Sequence, residues 1–208
     1  MISIINYGSG NISAIRNMLE FVGGECQIVD DADSIIQATA LVLPGIGAFD
    51  RCAKLLSRNE ISEAIRDKVK NQNTPILGIC LGFQLLTAGS EEGIEPGLCI
   101  IPGFTKRFQV DSYENLVVPH MSWEEVSVSK PHYLTDKIEK GDRFYFAHSF
   151  HVVCDNSEDV LMQSDYGYTY TAAASSGSAV GVQFHPEKSH RFGKVILKNF
   201  VDQCREQT

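Results

Sequence analysis

The chain has 208 residues, 43% hydrophobic and 21% charged, which is enough to bury the core of one globular domain. Its formal net charge of −8 argues against nucleic acid or an anionic membrane as the main partner. The opening MISIINYGSG lacks the basic start and long apolar centre of a signal peptide, and no apolar run approaches the roughly 20 residues that cross a bilayer.

In chain order, SIIN reads as a strand, and Asn11 is placed to cap a helix whose Ile12, Ile15, Met18, Leu19 and Val22 share one face before Gly23-Gly24 ends it. ALVLPG is a second buried strand, followed by a helix with Phe49, Cys52 and Leu56 inward and another carrying Ile61, Ile65 and Val69 at four-residue spacing. PILGI is the next strand, and Leu81 to Ala88 reads as a helix. Strands with so few polar positions, alternating with helices, indicate a parallel sheet covered on both faces. From Cys99 to Gln183 the texture changes to aromatic-rich, alternating segments (CIIPGF, LVVPH, RFYFAHSF, YTYTAAA, AVGVQF) that read as strands, many antiparallel. A last amphipathic helix from about His190 buries Phe192, Val195, Ile196 and Phe200. No linker or repeat interrupts the pattern, so residues 1–208 are expected to form a single α/β domain.

Six cysteines (Cys26, Cys52, Cys80, Cys99, Cys154 and Cys204) are scattered singly with no CxxC pair, which favours reduced thiols and a cytoplasmic location over a disulfide framework. Cys80 stands apart. In GICLG it sits where a strand passes into a helix, between Gly78 and Gly82, the build of a nucleophile elbow. Small neighbours permit the sharp turn, and the unsatisfied N–H groups of the helix start favour a thiolate. The alternative is a small buried residue beside helix-packing glycines. A cysteine nucleophile needs a base and a group that orients the base. GVQFHPEKS offers both: His185 ends an apolar strand, Pro186 keeps it extended, and Glu187 two residues on points the same way.

GxCxGxQ at Gly78, Cys80, Gly82 and Gln84, with a carboxy-terminal HPE at His185, Pro186 and Glu187, resembles the class I glutamine amidotransferases. NYGSGN, LPGIGAF, GICLGFQLL, SEEG, IPG, PHMSW, YFAHSF and GVQFHPEKS, spread from residue 6 to 189, look within that family like the subunits that feed imidazole glycerol phosphate synthesis. The resemblance implies a three-layer flavodoxin-like α/β fold with a mostly parallel central sheet and additional antiparallel strands. It implies a Cys80–His185–Glu187 triad that hydrolyses glutamine through a thioester, with no metal or cofactor. It implies an oxyanion site from the N–H of Leu81 and from the PGIG loop at Ile46 and Gly47 after a peptide rotation, which glycines make cheap. Substrate contacts would come from Gln84, Glu92 and the backbone of His148, Ser149 and Phe150. Asn11, Met121, Trp123, Tyr145 and Lys188 would face a (βα)8-barrel cyclase in a heterodimer that works in histidine biosynthesis.

Some motifs have other readings. HSFH could suggest a metal site, but no cysteine or acidic residue accompanies its histidines at ligand spacing. GSGN followed by Asp30 and Asp31 is similar to a dinucleotide loop, yet Ser13 stands where its third glycine should be. Trp123 and Tyr145 could equally be core aromatics. The family usually reads PHMGWN, whereas this chain has Ser122 and Glu124, and Asn6 occupies an expected aspartate position. The Glu124 carboxylate, if on the docking surface, would reject an acidic partner. A paralogous subunit that feeds a sugar-modifying amidotransferase in surface polysaccharide assembly is therefore the alternative enzyme. A non-catalytic partner-binding pseudoenzyme is the alternative of another class, and a cysteine hydrolase of the elbow type fits the Cys, His, Glu order poorly.

Overall fold

The computed structural model describes residues 1–110 and 116–206. Its centre is an eight-stranded sheet. Five parallel strands form one side: β1 (Ile2–Ile5), β2 (Cys26–Val29), β3 (Ala40–Gly45), β4 (Ile76–Cys80) and, far along the chain, β12 (Ala179–Val182). Numbering leaves room for β5 (Gly103–Arg107), β6 (His120–Glu125), β7 (Ser127–Val128), β8 (Arg143–His148), β9 (Phe150–Cys154), β10 (Val160–Tyr166) and β11 (Tyr168–Ser176). The order across the sheet is β2-β1-β3-β4-β12-β11-β10-β7, with β11, β10 and β7 antiparallel to their neighbours. Two antiparallel ribbons, β5-β9 and β6-β8, stand apart from this sheet.

Side chains alternate across a strand, so each parallel strand supplies both cores. Ile2, Ile4, Val42, Leu77 and Ile79 face one layer, with Ile15 and Leu19 of α1 (Ile12–Phe21) and Ile196, Leu197 and Phe200 of the C-terminal helix. Ile5, Leu41, Leu43 and Ile76 face the other, under α2 (Ala32–Ile36), α3 (Phe49–Leu56), α4 (Ile61–Lys70) and α5 (Leu81–Leu85). The C-terminal helix, α6, runs His190–Glu206. Burial on both faces explains why these strands read as unbroken apolar runs.

Several expectations change. β2, α2 and β10 were not legible as elements: β2 is a half-buried sheet edge and α2 only five residues long. Asn11 occupies the N-cap position of α1 but makes no side-chain cap bond. CIIPGF does not form a strand before Gly103, because the N–H groups of Ile100 and Ile101 both donate to the Leu86 carbonyl and close the end of α5. LVVPH likewise stays irregular up to His120: the Tyr166 hydroxyl serves both the N–H and the carbonyl of Val117, so that backbone needs no partner strand. The expected helix to Ala88 stops at Leu85, where the Thr87 hydroxyl donates to the Gln84 carbonyl at 2.7 Å. Asp31, far from forming a nucleotide site, caps α2 by accepting the Ser34 N–H at 2.8 Å.

Candidate active site

β4 delivers Cys80 to the carboxyl edge of the sheet in a strained conformation, φ 53° and ψ −110°, which non-glycine residues rarely adopt. The crowding around this turn explains its glycines. A Cβ on Gly82 would lie 1.9 Å from the Leu43 carbonyl oxygen, and one on Gly78 would lie 2.8 Å from Phe83 Cα. The thiol is only 5% exposed, at the floor of a cleft of about 290 Å³.

His185 arrives by strand register. β12 runs beside β4 with Val182 opposite Ile79, so the next residues pass the sulfur. Phe184 turns away and stacks on Phe144 at 4.1 Å between centroids, which leaves Gln183 and His185 on the Cys80 side. His185 is anchored by its N–H to the Tyr145 carbonyl (2.9 Å), while its own carbonyl accepts from the Ser189 hydroxyl (2.7 Å). Glu187 Oε1 lies 2.9 Å from His185 Nδ1, with both side chains buried. That contact reserves Nε2 for the sulfur. Burial alone would lower the His185 pKa; the negative Cys80 sulfur and its hydrogen bond, then Glu187, outweigh it and carry the imidazole up to about 10. The imidazole is therefore held between the sulfur and a carboxylate behind the ring.

The cleft brings together every substrate and oxyanion position expected from the sequence: Ile46, Gly47 and Leu81 near the sulfur, Gln84 and Glu92 at one end, and His148, Ser149 and Phe150 along a wall. Glu92 Oε2 accepts the Phe49 N–H at 3.0 Å, so its carboxylate is fixed at the start of α3. Gln84 Nε2 donates to the Phe150 carbonyl (2.9 Å) and to Gln183 Oε1 (3.3 Å). His148 Nδ1 donates to the same Phe150 carbonyl at 2.8 Å. Burial, then the nearby His120, holds His148 well below the usual histidine range, so it is a neutral part of the wall. His151, the other histidine of HSFH, is engaged with the Tyr168 hydroxyl at 3.1 Å. The Ile46 N–H does not enter the cleft; it donates to Ser9 Oγ at 3.2 Å.

In the cleft lining, Met121 is 62% exposed and Ile46 50%. Trp123 and Tyr145 are half-buried, 6.0 Å apart between rings, with the Lys188 ammonium 5.5 Å over the Tyr145 ring. They are thus surface aromatics rather than core. Asn11 is exposed as well. Glu124 has partners within its own strand. On β6 it alternates with Trp123, and Ser122 Oγ donates to its Oε1 at 2.7 Å while itself lying 2.7 Å from Nε2 of the buried His120. The extra carboxylate is turned back onto its own strand, on the face of β6 opposite Met121 and Trp123.

Sequence reading passed over Gln183, although the two-residue spacing that links His185 to Glu187 also links Gln183 to His185. It also missed Ser9 and His120, whose contacts depend on loops brought together only by the fold.

Residues 3–204 match the family model described as glutamine amidotransferase class-I. The chain is 41% identical over 204 residues to imidazole glycerol phosphate synthase subunit HisH 2 of Methanococcus maripaludis, covering 98% of this chain and 100% of that protein. It is 41% identical over 202 residues to the protein of the same name from Pseudomonas aeruginosa, covering 97% and 99%. Among solved structures, PurLQS of Thermotoga maritima aligns with a TM-score of 0.70 at 22% identity over 99% of this chain and 97% of that one. A structure described as a glutamine amidotransferase aligns with a TM-score of 0.72 at 18% identity, covering 98% of each. At these identities the structural likeness speaks to the fold alone. Among the described residues no helix is long and apolar enough to cross a membrane.

Proposed function

The chain belongs to the class I glutamine amidotransferase family, and from that premise we propose that it is the glutaminase subunit of an imidazole glycerol phosphate synthase. Residues 1–208 act as one catalytic domain. Cys80 Sγ attacks the side-chain amide carbon of glutamine, and His185 hands the leaving nitrogen its proton, so that ammonia departs and a glutamyl thioester remains. Water then adds to the thioester with His185 as base, giving glutamate and restoring the thiol. Glu187 keeps Nδ1 protonated and the ring aligned throughout. The oxyanion is received by the N–H of Leu81 and, once the Ile46 peptide turns from Ser9, by the Ile46–Gly47 loop. Gln84 and Glu92 take the substrate ammonium, and the His148–Phe150 backbone takes its carboxylate.

Ammonia is passed to a (βα)8-barrel cyclase docked over Asn11, Met121, Trp123, Tyr145 and Lys188. The pair is a cytoplasmic heterodimer with lyase activity in histidine biosynthesis. The observation that carries this reading is the Cys80–His185–Glu187 alignment on the floor of the cleft, supported by the names of relatives that span the whole chain. It is tested by glutamine turnover with the same organism's cyclase subunit, with and without the cyclase's ribonucleotide substrate. Strong stimulation is expected. Absence of both binding and stimulation in folded protein would overturn the histidine-pathway reading in favour of the sugar-modifying paralogue.

A further inference from the structure

Gln183 is fully buried, immediately beyond β12, with its backbone N–H on the Ala172 carbonyl at 2.8 Å. Its side chain occupies the space between Gln84 and Cys80. The orientation of both amides follows from their surroundings. The Phe150 carbonyl can only accept, so Gln84 must present its nitrogen there. The same nitrogen then meets Gln183 Oε1 at 3.3 Å, and Gln183 Nε2 is left facing Cys80 Sγ at 3.7 Å. A chain of amides thus runs from the cleft wall to the sulfur, with each donor pointing toward the next acceptor and the last N–H ending on sulfur.

We propose that Gln183 is a catalytic residue that donates a hydrogen bond to the Cys80 thiolate, with Gln84 fixing its orientation. The inference rests on the glutaminase reading for its purpose but on the amide geometry for its existence. His185 also meets the sulfur and carries a proton that it must surrender during the reaction. When the proton leaves, the sulfur is bound to carbon, and it becomes an anion again only as the thioester is released. Gln183 cannot titrate, so its N–H remains in place through the whole cycle. It stabilises the anion both before attack and when water releases the thioester. A neutral donor on an ionised acceptor is worth roughly ten- to hundredfold in an equilibrium. The residue also couples substrate recognition to reactivity: Gln84, placed to hold the substrate ammonium, is the group that keeps the Gln183 N–H on sulfur.

The test is the rate of Cys80 carbamidomethylation by iodoacetamide across pH, followed by mass spectrometry of the Cys80 peptide in full-length wild type and Gln183→Met. Loss of the donor should move the pH of half-maximal alkylation upward by about one unit or more and lower kcat/KM for glutamine roughly tenfold or more. A packing role would lower thermal stability without moving that midpoint, so an unmoved midpoint overturns the proposal however far activity falls. A second measurement needs no variant. In labelled wild-type protein, a Gln183 side-chain amide proton should shift as Cys80 ionises and shift back on alkylation. An amide proton indifferent to both overturns the proposal as well. Wild-type protein that alkylates as expected but never hydrolyses glutamine, alone or with its cyclase, would instead defeat the glutaminase reading and leave the donor role standing.

Discussion

One hydroxyl, that of Ser9, grips both sides of Ile46: it donates to the Ile46 carbonyl at 2.6 Å and accepts the Ile46 N–H at 3.2 Å. The two peptide units flanking Ile46 are therefore held together, with the N–H turned from the cleft. Removing the hydroxyl in Ser9→Ala should free the loop, since Gly47 at φ 95° has nothing within 4 Å of a notional Cβ. Glutamine turnover without the cyclase is expected to rise by several-fold to about thirtyfold, at about 1 kcal/mol for each of the two hydrogen bonds lost, and stimulation by the cyclase to shrink. Unchanged unstimulated turnover would mean that Ser9 does not restrain the loop.

Cys80→Ser should reduce glutamate release by at least about 10³-fold while leaving cyclase binding intact. The turn that holds Cys80 depends on small neighbours and backbone strain, and serine preserves both. Retained turnover in this variant would rule out the thioester route.

The alkaline limb of glutaminase activity should lie near the His185 value of about 10. Negative neighbours raise the imidazole above its ordinary value, so the proton it gives to departing ammonia is present below that pH and lost as pH rises through it. Glu187→Gln removes one of those neighbours. Its alkaline limb should move down and kcat should fall by about 10² or more. A pH–rate profile of both proteins settles the direction.

Glu124→Asn should leave affinity for the cyclase unchanged, because the carboxylate is bound to Ser122 on its own strand. Its effect should appear instead at His120. Burial lowers the His120 pKa and Glu124 raises it against that trend, so the variant should titrate lower still. Calorimetry measures the first and histidine NMR the second; a tenfold change in affinity would restore Glu124 to the docking surface.

Gly82→Ala tests the elbow itself. A methyl 1.9 Å from the Leu43 carbonyl meets backbone on a neighbouring strand and cannot be relieved by a rotamer change. A loss of roughly 2 kcal/mol or more is expected from chemical denaturation.

What the sequence disclosed and what it hid have a common physical basis. The parallel strands other than the edge strand β2 were legible because burial on both faces leaves continuous apolar runs, and Cys80 because a crowded turn leaves glycines at Gly78 and Gly82. His185 and Glu187 were legible because two-residue spacing is a local rule. Elements that take their stability from distant partners were not. The Ile100–Ile101 segment looks like strand yet finishes a helix, and Ser9 acts on a peptide 37 residues away. The bond from Ser122 to Glu124 was not legible because sequence reveals a charge but not the direction in which it points.

The alternation of Gln183, Phe184 and His185 beside β4 gives this site a reading frame. One residue inserted into β12 would turn the Phe184 ring toward the sulfur and send the imidazole into the aromatic layer on Phe144. Two inserted residues would restore the facing of every side chain and shift only its height along the strand. Length changes here should therefore be tolerated, if at all, in steps of two.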